Sequence, residues 1–144
     1  DLINNDFIYS DSAINFVWES PGLNSFGAVA WQRLLNTQIA NILSTQYLNA
    51  PIEVDGDDLM VHKEFEQHGI IQAKGKCSVS ITYSKDNVAI GHTAINIVAG
   101  KRAPAFAYST HLSEDQQQGF MKDVIDVFYA MNDDMFIATT KLTL

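Results

Sequence analysis

The residues best suited to chemistry are two histidines and two glutamates at every second position of one short stretch. They are His62, Glu64, Glu66 and His68. Alternate residues of a β-strand point to the same face, so a strand here would gather two imidazoles and two carboxylates, which are zinc ligands. Neighbours on one face lie roughly 7 Å apart, so a metal ion would need a bulge or ligands from another strand. The pattern favours a solvated sheet face and leaves a divalent metal site as the alternative.

Other reactive residue types have simpler structural interpretations. Cys77 shares the alternation of Val79 and Ile81, which predicts a buried and unreactive thiol. His111 follows a Ser-Thr pair that lacks the G-x-S-x-G pattern of a hydrolase, so we expect a turn residue. The acidic residues around Gly56 lack the residue order of a calcium loop, which favours a hydrated turn. The sequence therefore predicts no catalytic residue and no cofactor.

An apolar ligand pocket is a further candidate site. A curved sheet crossed by a helix often leaves such a pocket, and the predicted elements offer aromatic side chains to line it. These are Tyr83, Phe106, Phe120 and Phe128. For the stripe from Phe120 to Met135, the simpler interpretation is that these side chains fill the core.

Composition limits the class of protein. The 144 residues correspond to one domain, and 47% hydrophobic against 18% charged residues excludes a disordered tail or a coiled-coil rod. The formal charge of −8 makes nucleic acid an unexpected partner, because phosphate binding begins with a basic patch. One cysteine allows no intrachain disulfide. The sequence contains no run of about 18 apolar residues, so no transmembrane helix is predicted.

Two helices are predicted from apolar residues spaced three and four apart. The first covers residues 25–47, and its polar side, with Gln32 and Asn36, would face water or a polar partner. Its apolar stripe consists of Trp31, Leu35, Ile39, Ile42 and Leu43. The second helix begins at a capping box formed by Ser113 and Gln116, and we expect it to end at residues 132–134.

Strands are predicted where apolar and polar residues alternate. The segments are residues 14–18, 59–68, 77–83, 88–98 and 105–109. In the third, Cys77, Val79, Ile81 and Tyr83 would face the core, with Ser78, Ser80 and Thr82 opposite. Residues 51–58 are expected to form a loop, 84–87 a hairpin turn, 1–12 an arm and 136–144 a tail. The order of elements predicts a single α+β domain: an antiparallel sheet of about four to five strands with two helices packed on one face.

Residues 25–136 resemble, in element order and patterning, the small envelope lipoproteins of the YajG type and the related auxiliary lipoproteins of ABC transport systems. The resemblance rests on the first helix, the run Ala-Lys-Gly-Lys-Cys-Ser-Val-Ser-Ile at 73–81, and a last helix ending in Asn-Asp-Asp-Met at 132–135. It implies a periplasmic protein with a lipidated N-terminal cysteine and a non-catalytic role in envelope maintenance or lipid transport. This chain has no lipobox cysteine. Since the sequence starts at Asp1 rather than Met, we leave open the alternative that a signal peptide or lipid anchor preceded it. Such an anchor would allow a peripheral membrane association.

Three functions follow, in this order of preference. The first is a non-enzymatic extracytoplasmic domain of the periplasm or cell envelope that binds a protein partner or forms a homo-oligomer; a cytoplasmic location is the alternative. The second is a carrier of a small apolar ligand held between sheet and helix. The third is a metal-dependent enzyme that uses the four alternating histidines and glutamates.

Overall fold

The computed structural model describes residues 9–142, in which helices cover one face of an antiparallel sheet. The elements in chain order are β1 (Ser12–Pro21), α1 (Ser25–Ile42), β2 (Ile52–Asp55), β3 (Asp58–Val61), β4 (Phe65–Gln67), β5 (Ile70–Gln72), β6 (Gly75–Lys76), β7 (Ser78–Lys85), β8 (Val88–Val98) and α2 (Glu114–Thr140). The predicted α+β class, with two helices and antiparallel strands, is confirmed.

Three antiparallel sheets share these strands. The central sheet has the order β1-β8-β7, a second has the order β2-β3-β6, and β4 pairs with β5 alone. The tight turn at Asp86 and Asn87, both with positive φ, joins β7 to β8 and confirms the predicted hairpin. Two other predictions are wrong: the predicted loop at residues 51–58 contains strand β2, which pairs with β3 as a hairpin, and residues 105–109 contribute one bridge, from Ala107 to Lys76, rather than a strand.

The two helices begin as the sequence predicts. Asn24 caps α1, which continues as a π-helical turn over Leu43–Leu48, and Ser113 and Gln116 form a reciprocal capping box at α2. The predicted end of α2 at residues 132–134 is wrong, because the helix continues to Thr140. No glycine or proline follows that point to stop it. Most of the predicted tail is therefore helical, and residues 143–144 lie outside the described part.

The face of β7 that packs against α1 is polar, which reverses the sequence prediction. Ser78 and Ser80 are buried, while Ile81 and Tyr83 are about half exposed on the opposite face. Gln32 of α1 donates a hydrogen bond to Ser80 Oγ at 2.8 Å, and this hydroxyl lies 3.0 Å from Thr93 Oγ1 on β8. The polar side of α1 thus finds its polar partner inside the fold. Because strand side chains alternate, this pairing turns every apolar residue of β7 outward.

In the core, a tryptophan ring packs directly on a glycine of the neighbouring strand. Trp18 on β1 pairs in register with Gly91 on β8, and a Cβ built on Gly91 would lie 2.0 Å from Trp18 Cζ2. The indole therefore lies directly on the backbone of β8. Phe128 of α2 packs against both Trp18 and Trp31 of α1, with ring centroids 6.1 and 5.6 Å away. This cluster joins both helices to the central sheet.

The chain before β1 is attached to the end of β8. The backbone N–H of Asp11 donates to Ala99 O at 3.1 Å, and Ser10 Oγ donates to Val98 O at 3.0 Å. The Arg102 guanidinium lies 5.4 Å from the centroid of the Tyr9 ring. The predicted arm thus docks on the fold from Tyr9 onward, and residues 1–8 lie outside the described part.

We expect Gly91→Ala to lower the free energy of unfolding by about 2–3 kcal/mol, because the new methyl group would displace the Trp18 ring from the core. Urea denaturation followed by tryptophan fluorescence measures the change. In a Trp18→Leu background the same substitution should cost much less, because the clashing ring is gone. Equal losses in both backgrounds would contradict this packing.

Candidate functional site

The four predicted metal ligands do not share a strand face. His62 follows the end of β3, Glu66 lies in β4, and His68 occupies the turn between β4 and β5 with φ of +57°. The prediction of one strand over residues 59–68 is wrong because the chain leaves the ladder after Val61. Residues 9–142 contain no group of three or more His, Cys, Asp or Glu side chains that could hold a metal ion. The arrangement therefore gives no support to a metal-dependent enzyme at these positions.

His62 contacts a carboxylate from another strand instead. Its Nε2 lies 3.0 Å from Glu53 Oε1 on β2, and Lys74 Nζ lies 3.6 Å from the same oxygen. The hydrogen bond with His62, followed by the charge of Lys74, lowers the pKa of Glu53. All three side chains are largely exposed, so this is a surface ion pair of small energetic weight.

The four aromatic residues predicted to line a pocket lie in different places. Phe120 is fully buried in the core, with its ring edge-on to Phe16 and Tyr47. Phe128 packs between the tryptophans, whereas Tyr83 and Phe106 are about half exposed. Tyr83 also projects from the sheet face opposite the helices. The structure does not bring these side chains together, so they form no common apolar cavity.

An open cleft of about 460 Å³ lies where β8 ends. Gln67 and His68 form one wall, and Val98, Gly100 and Lys101 form another. Ser109 and His111, from the segment before α2, complete the lining. The sequence predicts His68 as a candidate metal ligand and His111 as a turn residue, and no local pattern connects the two. The glycine-lysine turn after β8 was visible, but only the fold places it beside both histidines.

Hydrogen bonds between these segments fix the walls of the cleft. Gln67 Nε2 donates to Gly100 O at 2.9 Å, and Ala99 N–H donates to Ser109 Oγ at 2.8 Å. A ring nitrogen of His68 contacts Ala103 O. The backbone N–H of His111 donates to Ile97 O at 2.9 Å. The cleft is therefore built by cross-links between three distant parts of the chain.

A second candidate surface lies at the opposite end of the central sheet. The side chain of Ser20, near the end of β1, bonds Asn132 Oδ1 at 2.7 Å, so the C-terminal part of α2 lies where α1 begins. Phe26 in the first turn of α1 is 85% exposed, and Phe136 of α2 is 71% exposed. We use the name apolar end for the exposed apolar residues of these two helix segments, which are Phe26, Val29, Met135, Phe136 and Ile137.

The apolar end includes a stretch of helix that extends beyond the core. Every residue from Asp133 to Thr140 is exposed, although the segment is α-helical. Short helices in water are marginal, and most helical stability in proteins comes from packing an apolar face. An exposed helix with Phe136 and Ile137 on its surface is typical of a segment that packs against another protein.

This geometry defines the chain as an α+β domain. Helices lie on one face of an antiparallel sheet, and an open polar cleft lies at one end of that sheet. A family model matches residues 1–143, so the chain belongs to the DUF366 family, described as a domain of unknown function. A solved structure titled "Protein of Unknown Function from Pyrococcus horikoshi" is similar, with a TM-score of 0.72 and 18% identity. The match covers 94% of this chain and 68% of that one, and at this identity shows a shared fold.

Searching the curated proteins gave no match. Neither helix in residues 9–142 combines the length and apolarity that crossing a membrane requires. The resemblance to YajG-type lipoproteins stays a prediction, because the comparisons concern the DUF366 family and a shared fold alone.

The single thiol lies in the hydrophobic core. Cys77 is fully buried, and burial raises its pKa to about 12. At pH 8 only about one thiol in ten thousand would be ionised, and the thiolate is the reactive form. The predicted inert thiol agrees with this environment.

We expect Cys77 to resist a thiol reagent at pH 8 in the folded protein and to react fully in denaturant. Between about pH 9 and 12 the thiol of Cys77 ionises in the unfolded protein but stays protonated in the folded one. The free energy of unfolding therefore falls as the pH rises through this window. Absorbance of the released thiolate measures the labelling, and Cys77→Ala should show a shallower stability loss across that pH window. Rapid labelling of the native protein would contradict the buried position.

Proposed function

We propose that this DUF366 domain is a non-enzymatic extracytoplasmic protein-interaction domain that associates with a second copy of itself through the apolar end. The observation that supports this most directly is the exposed helical segment from Asp133 to Thr140, in which the side chains of Phe136 and Ile137 are 71% and 56% exposed. A partner that covers Phe136 and Ile137 would remove apolar surface from water.

The residue order of α2 favours an antiparallel pair of helix ends. Asp133 and Ile137 are spaced four apart on one side of α2, and Lys141 follows four residues later as the C-cap of the helix. A two-fold axis at Ile137 would place this residue against its own copy. Asp133 of each chain would then face Lys141 of the other, and neither makes an ion pair within residues 9–142. The order of charges is thus complementary to itself in an antiparallel pair.

The location outside the cytoplasm is the second part of the proposal and rests on the envelope-lipoprotein resemblance. It stays a prediction independent of the dimer. Fractionation of source cells, with the native chain detected in periplasmic and cytoplasmic extracts, tests it directly.

Light scattering coupled to size exclusion, run over a concentration series, should show a mass rising from 16.0 kDa toward twice that value. The helix ends form a small interface, so we expect a weak and concentration-dependent dimer. Ile137→Asp should abolish it. Asp133→Lys or Lys141→Asp alone should weaken the dimer, and the two together should restore it.

Gln118→Lys provides the matched control, because it adds a charge at an exposed position of the same helix outside the segment from Asp133 to Lys141. It should leave the dimer unchanged. A protein that stays monomeric at every concentration, or a double charge exchange without recovery, would refute the proposed pairing.

A further inference from the structure

The cleft at the end of β8 presents imidazoles from an uncommon backbone conformation. His68 and His111 both have positive φ, +57° and +53°. Glycine adopts this region without the steric cost that a side chain brings. Non-glycine residues held there often mark binding sites, where the surrounding structure offsets the strain. Two such histidines lining one cleft therefore indicate that the imidazoles serve a purpose that glycine could not.

The charge of the cleft differs from that of the chain. The chain has 17 acidic residues, yet none of the residues that line the cleft within residues 9–142 is acidic. Lys101 makes no ion pair within the described residues, and Arg102 stands beside it in the turn. The carboxylate of Asp11 lies against Gly100, which belongs to the lining. Among the described residues, the side chains of the lining itself are positive or neutral.

Three hydrogen-bond donors remain available along the lining. Ser109 Oγ accepts the Ala99 N–H, so its own hydrogen is free to point into the cleft. The ammonium of Lys101 and the ring of His111 make no hydrogen bond within residues 9–142. His68 and Gln67 are instead bound to backbone carbonyls and hold the wall in place.

We propose that this cleft binds the oxyanion group, a phosphate or a carboxylate, of a small metabolite. Lys101 supplies the positive charge, and Ser109 and His111 donate hydrogen bonds to the anionic oxygens. A volume of about 460 Å³ lies within the range of small-molecule sites. The cleft lies at the Val98 end of β8, and the end that adjoins α2 is ten residues away at Val88, about 33 Å in an extended strand. Binding in the cleft is therefore independent of the proposed dimer.

Nuclear magnetic resonance titration of the isotope-labelled full chain with inorganic phosphate, and separately with acetate, at constant ionic strength tests the site. We expect saturable shifts confined to amides of the cleft, such as those of Gly100, Lys101 and His111. Lys101→Gln should weaken binding at least about tenfold. His111→Asn should also weaken it while retaining the fold, because asparagine tolerates positive φ.

Lys85→Gln is the matched control, since Lys85 is exposed at the other end of the central sheet. It should leave both titrations unchanged. Saturation by phosphate alone identifies a phosphate site, and saturation by acetate alone identifies a carboxylate site. The absence of saturation with both anions, or equal losses in Lys101→Gln and Lys85→Gln, would overturn the proposal.

Discussion

The Trp18 indole packs directly on the backbone of Gly91, and this contact ties β1, β8 and both helices together. The ring occupies the space where a Cβ on Gly91 would lie, so β1 and β8 pair in the register that places Trp18 beside the glycine. Phe128 then fills the gap between Trp18 and Trp31 and fixes both helices over the sheet. The register of β1, the position of α2 and the packing of α1 follow from this one contact.

Polarity within the core determines which surface the protein exposes. The hydrogen bond of Gln32 to Ser80, continued to Thr93, buries polar side chains between α1 and the sheet. Buried polar groups are tolerated when they are satisfied, and such a network specifies register more strictly than apolar packing does. The consequence is that β7 carries its apolar side chains on the outer face of the sheet. Ile81 and Tyr83 lie there, and Val17 of β1, on the other side of β8, is 77% exposed.

The two functional candidates lie at opposite ends of the central sheet and arise in different ways. The cleft depends on contacts between segments that are up to 44 residues apart, from Gln67 to His111. The apolar end arises because one helix is longer than the core that it covers. A ligand in the cleft would contact the turn after β8, whereas a partner at α2 would contact neither that turn nor its histidines. Binding and association can therefore be separated experimentally.

Elements with local signals could be predicted from the amino-acid sequence. The stripe from Trp31 to Leu43, the capping box at Ser113 and the turn at Asp86 and Asn87 are written in neighbouring residues, and all three are present. Only the tertiary structure decided which face of β7 is buried, because Ser80 is stabilised in the core by a glutamine 48 residues away. It also decided the cleft, because His68 and His111 become neighbours only when the chain folds. Local patterns encode backbone conformation, whereas burial and site geometry depend on partners that are distant in the sequence.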